Sequence, residues 1–396
     1  MHEKLNNTGH SHYVVALDLG TSKLLAMAAR KTHEGISILD SKQIPSGTCI
    51  RRGCVYKIDD TANIVRKIVN GLSHSLNSGI KKVYVGIGGQ SLRAEYYSVK
   101  KEINGLVTSD ILLHLEDECR KHMSELIEVL EIVFSEYFLD GKLETNPKNM
   151  YCKEIETKYQ LILGRPSLKN LLKKSIEGKA GIEIAGFFIS PLATAEAVLT
   201  SKDKRRGCAL IEFGAGITYL SIYREERLKY LVTIPLGGSV ITKDLCCLGI
   251  VESEAETLKI NDGNALIDYS KKEQLVDTII EARVNEIVTN IVEQIKQSGC
   301  LPMLDEGIII TGGASLLKNL DKLLSQQIGK QVRRANIKNH AHACILGLLA
   351  LSKDNCAKET CEESSLLQEG KQQKLISPPK RKESLFGKLS RTIFDD

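Results

Sequence analysis

Apolar residues fall into two patterns along this chain, and the same succession of patterns occurs twice. Short apolar runs predict strands at residues 13–19, 23–30 and 36–43. A helical stripe follows in residues 61–75, where Ile64, Val65, Ile68, Val69 and Leu72 recur on one face, and then a strand at 82–87. Past the midpoint, residues 207–212, 217–224 and 228–235 again read as three strands, Gly237-Gly238 opens a helix at 239–248, and residues 308–311 form a further strand. Apolar and small residues at helical spacing mark helices at 191–200 and 341–351.

Each half is interrupted. Residues 91–163 read as an inserted subdomain, with a long charged helix at 109–133 set between strand-like pieces that include 132–139 and 159–163. A helix at 167–178 and a strand at 181–189 resume the first half. In the second half, residues 251–304 form a mostly helical insert containing a helix at 271–298, and another helix follows at 316–328. Residues 1–12 read as a polar, disordered tail, and residues 353–379, dominated by Glu, Gln, Ser and Lys, as a flexible linker.

The repeated strands end in the same chemistry. The first runs into Asp18-Leu19-Gly20-Thr21-Ser22-Lys23, the second, a half-chain later, into Glu212-Phe213-Gly214-Ala215-Gly216-Ile217-Thr218. Glycine lets a turn tighten and bring backbone N–H groups against phosphate oxygens. Thr21 and Ser22 add hydroxyls, Lys23 adds positive charge, and an acid at each strand end suits a hydrated Mg2+ or an attacking water. One such turn occurs in ordinary hairpins; two in the same order, with a third glycine motif at Gly312-Gly313-Ala314-Ser315, point to a nucleotide held between two domains.

Composition removes other classes. With 396 residues, 42% hydrophobic and 26% charged, the chain can build two cores. A net charge of +5, no Trp and 5% aromatics argue against nucleic acid as a partner. The eleven Cys contain no C-x-x-C pair, so reduced thiols are expected rather than a zinc site. No apolar stretch reaches membrane-spanning length. His340 and His342 read as surface-loop residues, and Arg333-Arg334 as solvated surface.

The order of these pieces resembles the actin and sugar-kinase superfamily, and within it the FtsA family of bacterial division proteins. The residues that carry the resemblance include Asp18–Lys23, Val83-Tyr84-Val85-Gly86-Ile87, Pro191-Leu192-Ala193-Thr194-Ala195-Glu196-Ala197, Glu212–Gly216, Ile234-Pro235-Leu236-Gly237-Gly238, Glu254-Ala255-Glu256-Thr257-Leu258-Lys259, Ile310–Ser315 and Ala343–Leu348. The resemblance implies an α/β, actin-like ATPase fold of two βββαβα-type domains: 1A from 13–90 and 164–204, 2A from 205–250 and 305–352, a 1C-type insert at 91–163 and subdomain 2B at 251–304. It implies ATP and Mg2+ as ligands, with Asp18 at the metal through water, Asp18 and Glu212 at the chemistry, and Gly20, Thr21, Ser22, Lys23, Gly214, Ala215, Gly216, Gly237, Gly238, Gly312, Gly313 and Ala314 around the nucleotide. Glu256 and Lys259 are carried over as adenine and ribose contacts; read as residues alone, they are equally well a surface ion pair.

The resemblance also implies filaments of this chain, docking of the C-terminal peptide of the tubulin-like protein FtsZ on 2B, with Arg283, Asn285 and Lys296 as positional candidates, and downstream division partners. The second turn departs from the family's usual Asp-x-Gly-Gly-Gly-Thr at Glu212, Ala215 and Ile217, and Ser190 stands where several superfamily ATPases have Glu. Ile217 lacks a hydroxyl for the γ-phosphate and Glu212 lengthens its arm by a methylene, so hydrolysis should be slow. A pilus-assembly type of actin-like adaptor shares the inserted subdomain, and a small-molecule kinase shares the fold; neither has a use for what lies at residues 380–396.

That segment is amphipathic. Leu385, Leu389 and Ile393 repeat every fourth residue with Phe386 and Phe394 beside them, while Lys380, Arg381, Lys382, Lys388 and Arg391 supply charge. Large apolar side chains contribute roughly 1.5–3 kcal/mol each when fully buried, and cations about 1 kcal/mol each near anionic lipid. A single copy should bind such a membrane reversibly and a filament of copies tightly. With the resemblance, the expected location is peripheral, on the cytoplasmic face of the membrane at the division septum.

Overall fold

The protein is described from a computed structural model covering residues 12–32, 35–121, 126–267 and 275–357. The chain divides into two units, Met1–Ala357 and Lys358–Asp396. The N-terminal tail up to residue 11, most of the polar linker and the amphipathic segment with Leu385, Phe386, Lys388, Leu389, Arg391, Ile393 and Phe394 lie outside the described residues.

The first unit repeats one topology. In its first half, β1 (Val14–Leu19), β2 (Lys23–Thr32) and β3 (Gly35–Pro45) form an antiparallel meander, followed by a small hairpin, β4 (Ile50–Arg51) and β5 (Cys54–Val55). Helix α1 (Ile58–Leu76) carries the expected stripe, burying Ala62, Val65, Ile68, Val69 and Leu72, and leads to β6 (Lys82–Ile87), parallel to β1.

An excursion then builds β7 (Arg93–Leu106), α2 (Ser109–Lys121), β8 (Glu128–Leu139), β9 (Lys142–Glu144) and β10 (Tyr151–Gly164). Helix α3 (Ser167–Lys173) runs into a π-helical turn, Lys174–Ala180, before β11 (Glu183–Ile189) joins β6 in parallel and α4 (Ser190–Val198) and α5 (Ser201–Arg206) close the half. The second half follows with β12 (Cys208–Phe213), β13 (Thr218–Arg224), β14 (Arg227–Ile234), α6 (Gly238–Leu245), α7 (Glu252–Asn261), α8 (Leu275–Gln297), β15 (Ile308–Thr311), α9 (Leu320–Ile328), β16 (Val332–Arg334) and α10 (Ala343–Leu351).

Strand order makes the duplication explicit: β11-β6-β1-β2-β3 in the first sheet and β16-β15-β12-β13-β14 in the second. With the β4–β5 hairpin and the excursion strands set aside, each is the last, fourth, first, second and third strand of its half. The second sheet continues through a single pairing, Val232 with Arg93, into the excursion's own sheet, β7-β10-β8-β9.

Three differences from the expectation have local causes. Of the long helix expected at 109–133, Ser109–Lys121 is helical, while Glu128–Leu139 is a strand paired along β10. Its apolar run is rich in Ile, Val and Phe, which suit a pleated surface better than a helix. Residues 353–357 are ordered rather than the start of a free linker: Cys356 N–H donates to Tyr13 O (2.8 Å), Lys81 N–H donates to Cys356 O (2.8 Å) and Asp354 N–H donates to the Tyr84 hydroxyl (2.8 Å). Arg333 and Arg334 are not solvated surface. Arg333 reaches the buried Asp203 at 2.7 Å, and Arg334 donates to the carbonyls of Ser315 and Leu317.

The alternation of β1 and β12 places the site. On β1, Val15, Leu17 and Leu19 enter the large central core, while Val14 and Ala16 pack on α10. On β12, Ala209, Ile211 and Phe213 pack toward α8, while Cys208 and Leu210 face the first half. Asp18 shares the face of Val14 and Ala16, and Glu212 that of Cys208 and Leu210, because side chains two apart point the same way. Both acids therefore turn toward α4 and α10. These helices cross so tightly that a Cβ on Gly347 would lie 1.7 Å from Ala193 O.

Candidate functional site

Asp18 and Glu212 occupy equivalent places, each one residue before the end of the first strand of its half. Beyond them the chain turns tightly, and the glycines are needed there. A Cβ on Gly20 would stand 2.9 Å from Lys23 O, and one on Gly214 would stand 2.7 Å from Ile217 O, the acceptor of the Gly214 N–H. The second turn is seated on α6: Gly238 N–H donates to Gly214 O (2.9 Å) and Ser239 N–H to Ala215 O (2.8 Å). Gly237 lies behind this turn, where a Cβ would meet Gly214 O at 2.5 Å, and does not reach the cavity.

The two turns meet across the cleft. A Cβ on Gly216 would lie 2.7 Å from Thr21 Oγ1, and Thr21 Oγ1 accepts from Gly53 N–H (3.1 Å) at the tip of the β4–β5 hairpin. The third glycine motif stands opposite. Gly312, with φ 87°, passes so close to Phe213 O that any Cβ would sit 2.3 Å away, and a short 3-10 turn, Gly313–Leu316, follows.

These three turns surround one cavity of about 370 Å3, within the usual range for a small-molecule site. Asp18, Gly20, Thr21, Ser22, Lys23, Glu212, Gly214, Ala215, Gly216, Gly238, Glu256, Lys259, Gly312, Gly313 and Ala314 all line it. Both lysines have their ammonium groups engaged. Lys23 donates to Gln43 (2.9 Å), and the Lys259 ammonium donates to Glu256 (2.6 Å), Thr242 Oγ1 (2.8 Å) and Gly238 O (3.1 Å). Glu256 and Lys259 are thus a cavity-wall network rather than a surface ion pair.

Sequence reasoning placed Ser190 near the site but missed Tyr219, Cys344 and His340 in its wall. Tyr219 is opposite Glu212 in the β12–β13 register, its hydroxyl accepting from Gly89 N–H (2.8 Å); the tight hairpin predicts that pairing. Ser190, singled out by the resemblance, arrives from α4; Cys344 arrives from α10, and no local signal marks it as a wall residue. His340, expected in a surface loop, lines the cavity with its ring Nδ1 3.4 Å from the Thr311 hydroxyl. Thr218 points away instead, donating to Leu236 O (2.8 Å).

Electrostatics set the two acids apart. Burial pushes Asp18 up to about 6 against the easing effects of Cys344 and Lys23. Burial pushes Glu212 further, to about 8, and the charge of Asp18 adds to it. Thr194 eases the penalty on Glu212, yet neither Glu212 Oε2 nor the Thr194 hydroxyl makes a hydrogen bond. Burial, with Asp18 and Glu212 beside it, also holds the Cys344 thiol well above its usual range. At neutral pH Asp18 is largely ionised and Glu212 largely protonated. An orphaned carboxyl oxygen, a neighbouring carboxylate and three glycine-walled turns fit a ligand that brings a cation and several phosphate oxygens together.

Three residues on α8 were candidates for peptide docking. Each has a partner: Arg283 pairs with Asp244 and Glu286, Asn285 accepts from Gln327 (2.7 Å), and Lys296 pairs with Glu293 (2.8 Å). Among the described residues, no helix is long and apolar enough to cross a membrane.

The family model described as "Cell division protein FtsA" matches residues 209–347. The Cell division protein FtsA of Porphyromonas gingivalis is 32% identical over 337 residues, covering 79% of this chain and 70% of that protein. That of Bacillus subtilis is 27% identical over 347 residues, covering 81% and 78%. Among solved structures, the PilM-PilN type IV pilus biogenesis complex aligns with a TM-score of 0.62 at 13% identity, over 85% of this chain and 97% of that one. MreB 5 of Spiroplasma citri bound to AMPPNP aligns with a TM-score of 0.51 at 13% identity, over 91% and 100%. The duplicated sheets with a cleft between them are those of the actin-like ATPase fold, and by sequence the chain belongs to the FtsA family of cell-division proteins.

Proposed function

We propose that this chain is an ATP-binding, filament-forming division protein that holds FtsZ at the inner face of the cytoplasmic membrane and turns ATP over slowly. The observation that carries the nucleotide part is the convergence of two equivalent strand ends and the Gly312-Gly313 turn on one cavity. The glycine turns at Gly20 and Gly214–Gly216, with Thr21 and Ser22, would hold the phosphates, and Gly312–Ala314 the nucleoside. Asp18 would hold Mg2+ through water, and the cation would offset phosphate charge beside two acids. Lys23 would have to leave Gln43 to reach a phosphate.

Slow turnover is supported by the state of Glu212 in the ligand-free protein. A carboxyl that carries its proton at neutral pH is not a ready general base. Ile217 presents only carbon to the cavity, and the neighbouring Thr218 hydroxyl is committed to Leu236 O. Nucleotide then acts chiefly by shifting the population of closed, polymerising states. If Gly313 helps seat the nucleoside, Gly313→Asp should abolish calorimetric ATP binding while leaving the circular dichroism spectrum unchanged. The nearest atom to a Cβ there is Ala341 Cβ at 3.8 Å, so the fold has room for it. Retained ATP affinity would remove this motif from the site.

The two sheets with their flanking helices correspond to subdomains 1A and 2A, the excursion from β7 to β10 to 1C, and α7 and α8 to 2B. The FtsZ peptide would dock on 2B through residues other than Arg283, Asn285 and Lys296 in their present pairings, since each would first lose a partner. Downstream division proteins would bind the same filament. The amphipathic segment at residues 380–396 would supply the membrane contact.

One sedimentation experiment tests the tether. With anionic liposomes, this protein should carry full-length FtsZ into the pellet but not FtsZ lacking its C-terminal peptide. The double variant Phe386→Glu/Leu389→Glu should pellet neither, with ATP binding unchanged. Pelleting by that variant at the wild-type level defeats the membrane assignment; pelleting of tail-less FtsZ defeats the peptide model.

A further inference from the structure

We infer that the paired ends of β2 and β3 are a second membrane contact: Ile36, Ile38 and Leu39, with Arg30, Lys31 and Lys353 beside them, rest on an anionic lipid surface and set the folded unit against it. The inference rests on the membrane reading above and adds which face of the folded unit meets the lipid.

Ile36, Ile38 and Leu39 are 40%, 42% and 37% exposed, close together on the edge strand of the first sheet. The ladder sets Ile36 opposite Lys31, Ser37 opposite Arg30 and Ile38 opposite Ala29, and the bulge that follows leaves Leu39 without a partner residue. Opposite residues share a face of the sheet, and Ala29 packs in the cluster that β1 and β2 form with α10. Ile36, Ile38 and Lys31 therefore lie on the α10 side. Lys31 reaches the end of that helix, its ammonium donating to Ala350 O (2.5 Å) and to Ser352 O. From there the chain runs to Ala357, where it leaves the first unit, and continues in sequence to the amphipathic segment at residues 380–396.

The charges at this edge favour an anionic surface. Burial, and then the neighbouring charge of Lys353, lower the pKa of Lys31, so two cations stand close together. The acids nearby are taken, Asp354 by Lys82 (3.5 Å) and Asp40 by Lys42 (2.9 Å). Among the described residues no carboxylate pairs with Arg30, Lys31 or Lys353, and all three are exposed. Apolar side chains held in water beside cations without counter-charges match the composition of a lipid-surface contact. Three partly exposed side chains are too few to hold the protein alone. They orient a unit that the amphipathic segment has already brought to the surface, where the second contact is effectively intramolecular.

The test uses the full-length protein with vesicles of phosphatidylcholine, with and without phosphatidylglycerol. The chain contains no Trp, so Ile38→Trp reports on this strand alone. Its emission should move to shorter wavelength on the vesicles that contain phosphatidylglycerol and be quenched by brominated acyl chains. Ile36→Ser/Ile38→Ser and Arg30→Gln/Lys353→Gln should each weaken binding to those vesicles about tenfold, the second pair only at low salt. All four side chains are exposed, so melting temperatures should stay near wild type. Emission unmoved by vesicles that pellet the protein, or paired variants that bind as wild type does, overturns the contact and leaves the amphipathic tether standing. Emission that moves on raising the protein concentration without lipid assigns the strand to a second copy of the chain and overturns it equally. A wild-type protein that pellets with neither vesicle fails the membrane reading, and this contact with it.

Discussion

Glu212→Gln is expected to stabilise the ligand-free protein strongly at alkaline pH and hardly at all in acid. The folded protein holds the Glu212 proton up to about pH 8, whereas the unfolded chain releases it near 4.5. Between those values the folded state binds more protons than the unfolded one, so the contribution of this group to stability falls as pH rises. The loss begins near pH 4.5 and is complete above about 8, where the shift corresponds to about 5 kcal/mol. Glutamine keeps the shape of the protonated acid without the charge. Urea unfolding at pH 5 and pH 9 should give matching stabilities for the two proteins at the lower pH and a variant more stable by several kcal/mol at the higher. Asp18→Asn should show the same sign over the narrower interval from 3.8 to about 6. If wild type and Glu212→Gln lose stability in parallel from pH 5 to 9, Glu212 is not the buried, proton-holding group that the geometry describes.

The acids were readable because their signal is local. A strand that alternates toward two cores, an acid at its penultimate position and a glycine turn are all contiguous, and the register that sets Asp18 opposite Leu25 and Glu212 opposite Tyr219 follows from the tightness of the hairpin. The remaining wall was not readable because topology assembles it. Cys344 comes to lie beside Asp18 and Glu212 only because α4 and α10 cross at Ala193 and Gly347, contacts between residues far apart in sequence. The spacing of Glu256 and Lys259 announced a pair on one helix face, but not that Thr242 and Gly238 on α6 would take the rest of the ammonium's hydrogens. Residues from Glu128 onward were not readable as a strand because a continuous apolar run has no period of its own, and the partner strand β10 decides the outcome.

Restoring the family's usual residues should switch on hydrolysis. Glu212→Asp withdraws the carboxyl by one methylene and replaces an acid that ordinarily titrates at 4.5 with one at 3.8, so more of it is ionised in the same buried setting. Ile217→Thr puts a hydroxyl on a position that already lines the cavity and removes the Cδ1 that a Cβ on Gly53 would meet at 2.8 Å. It also removes buried carbon from a residue only 6% exposed, which costs about 1 kcal/mol and should appear as a slightly lower melting temperature. General-base catalysis contributes roughly 100- to 10,000-fold, so the double variant should release phosphate from ATP about a hundredfold faster than wild type. Each single change should do less than the pair, because a placed base and a placed hydroxyl act on one geometry. ATP affinity should be unchanged, since neither position contacts the nucleoside turn. Steady-state phosphate release measures the effect. A double variant that binds ATP as wild type does and hydrolyses it no faster would show that these two residues do not set the rate. So would a wild-type rate on the order of 10 per second, which is ordinary for metabolic enzymes.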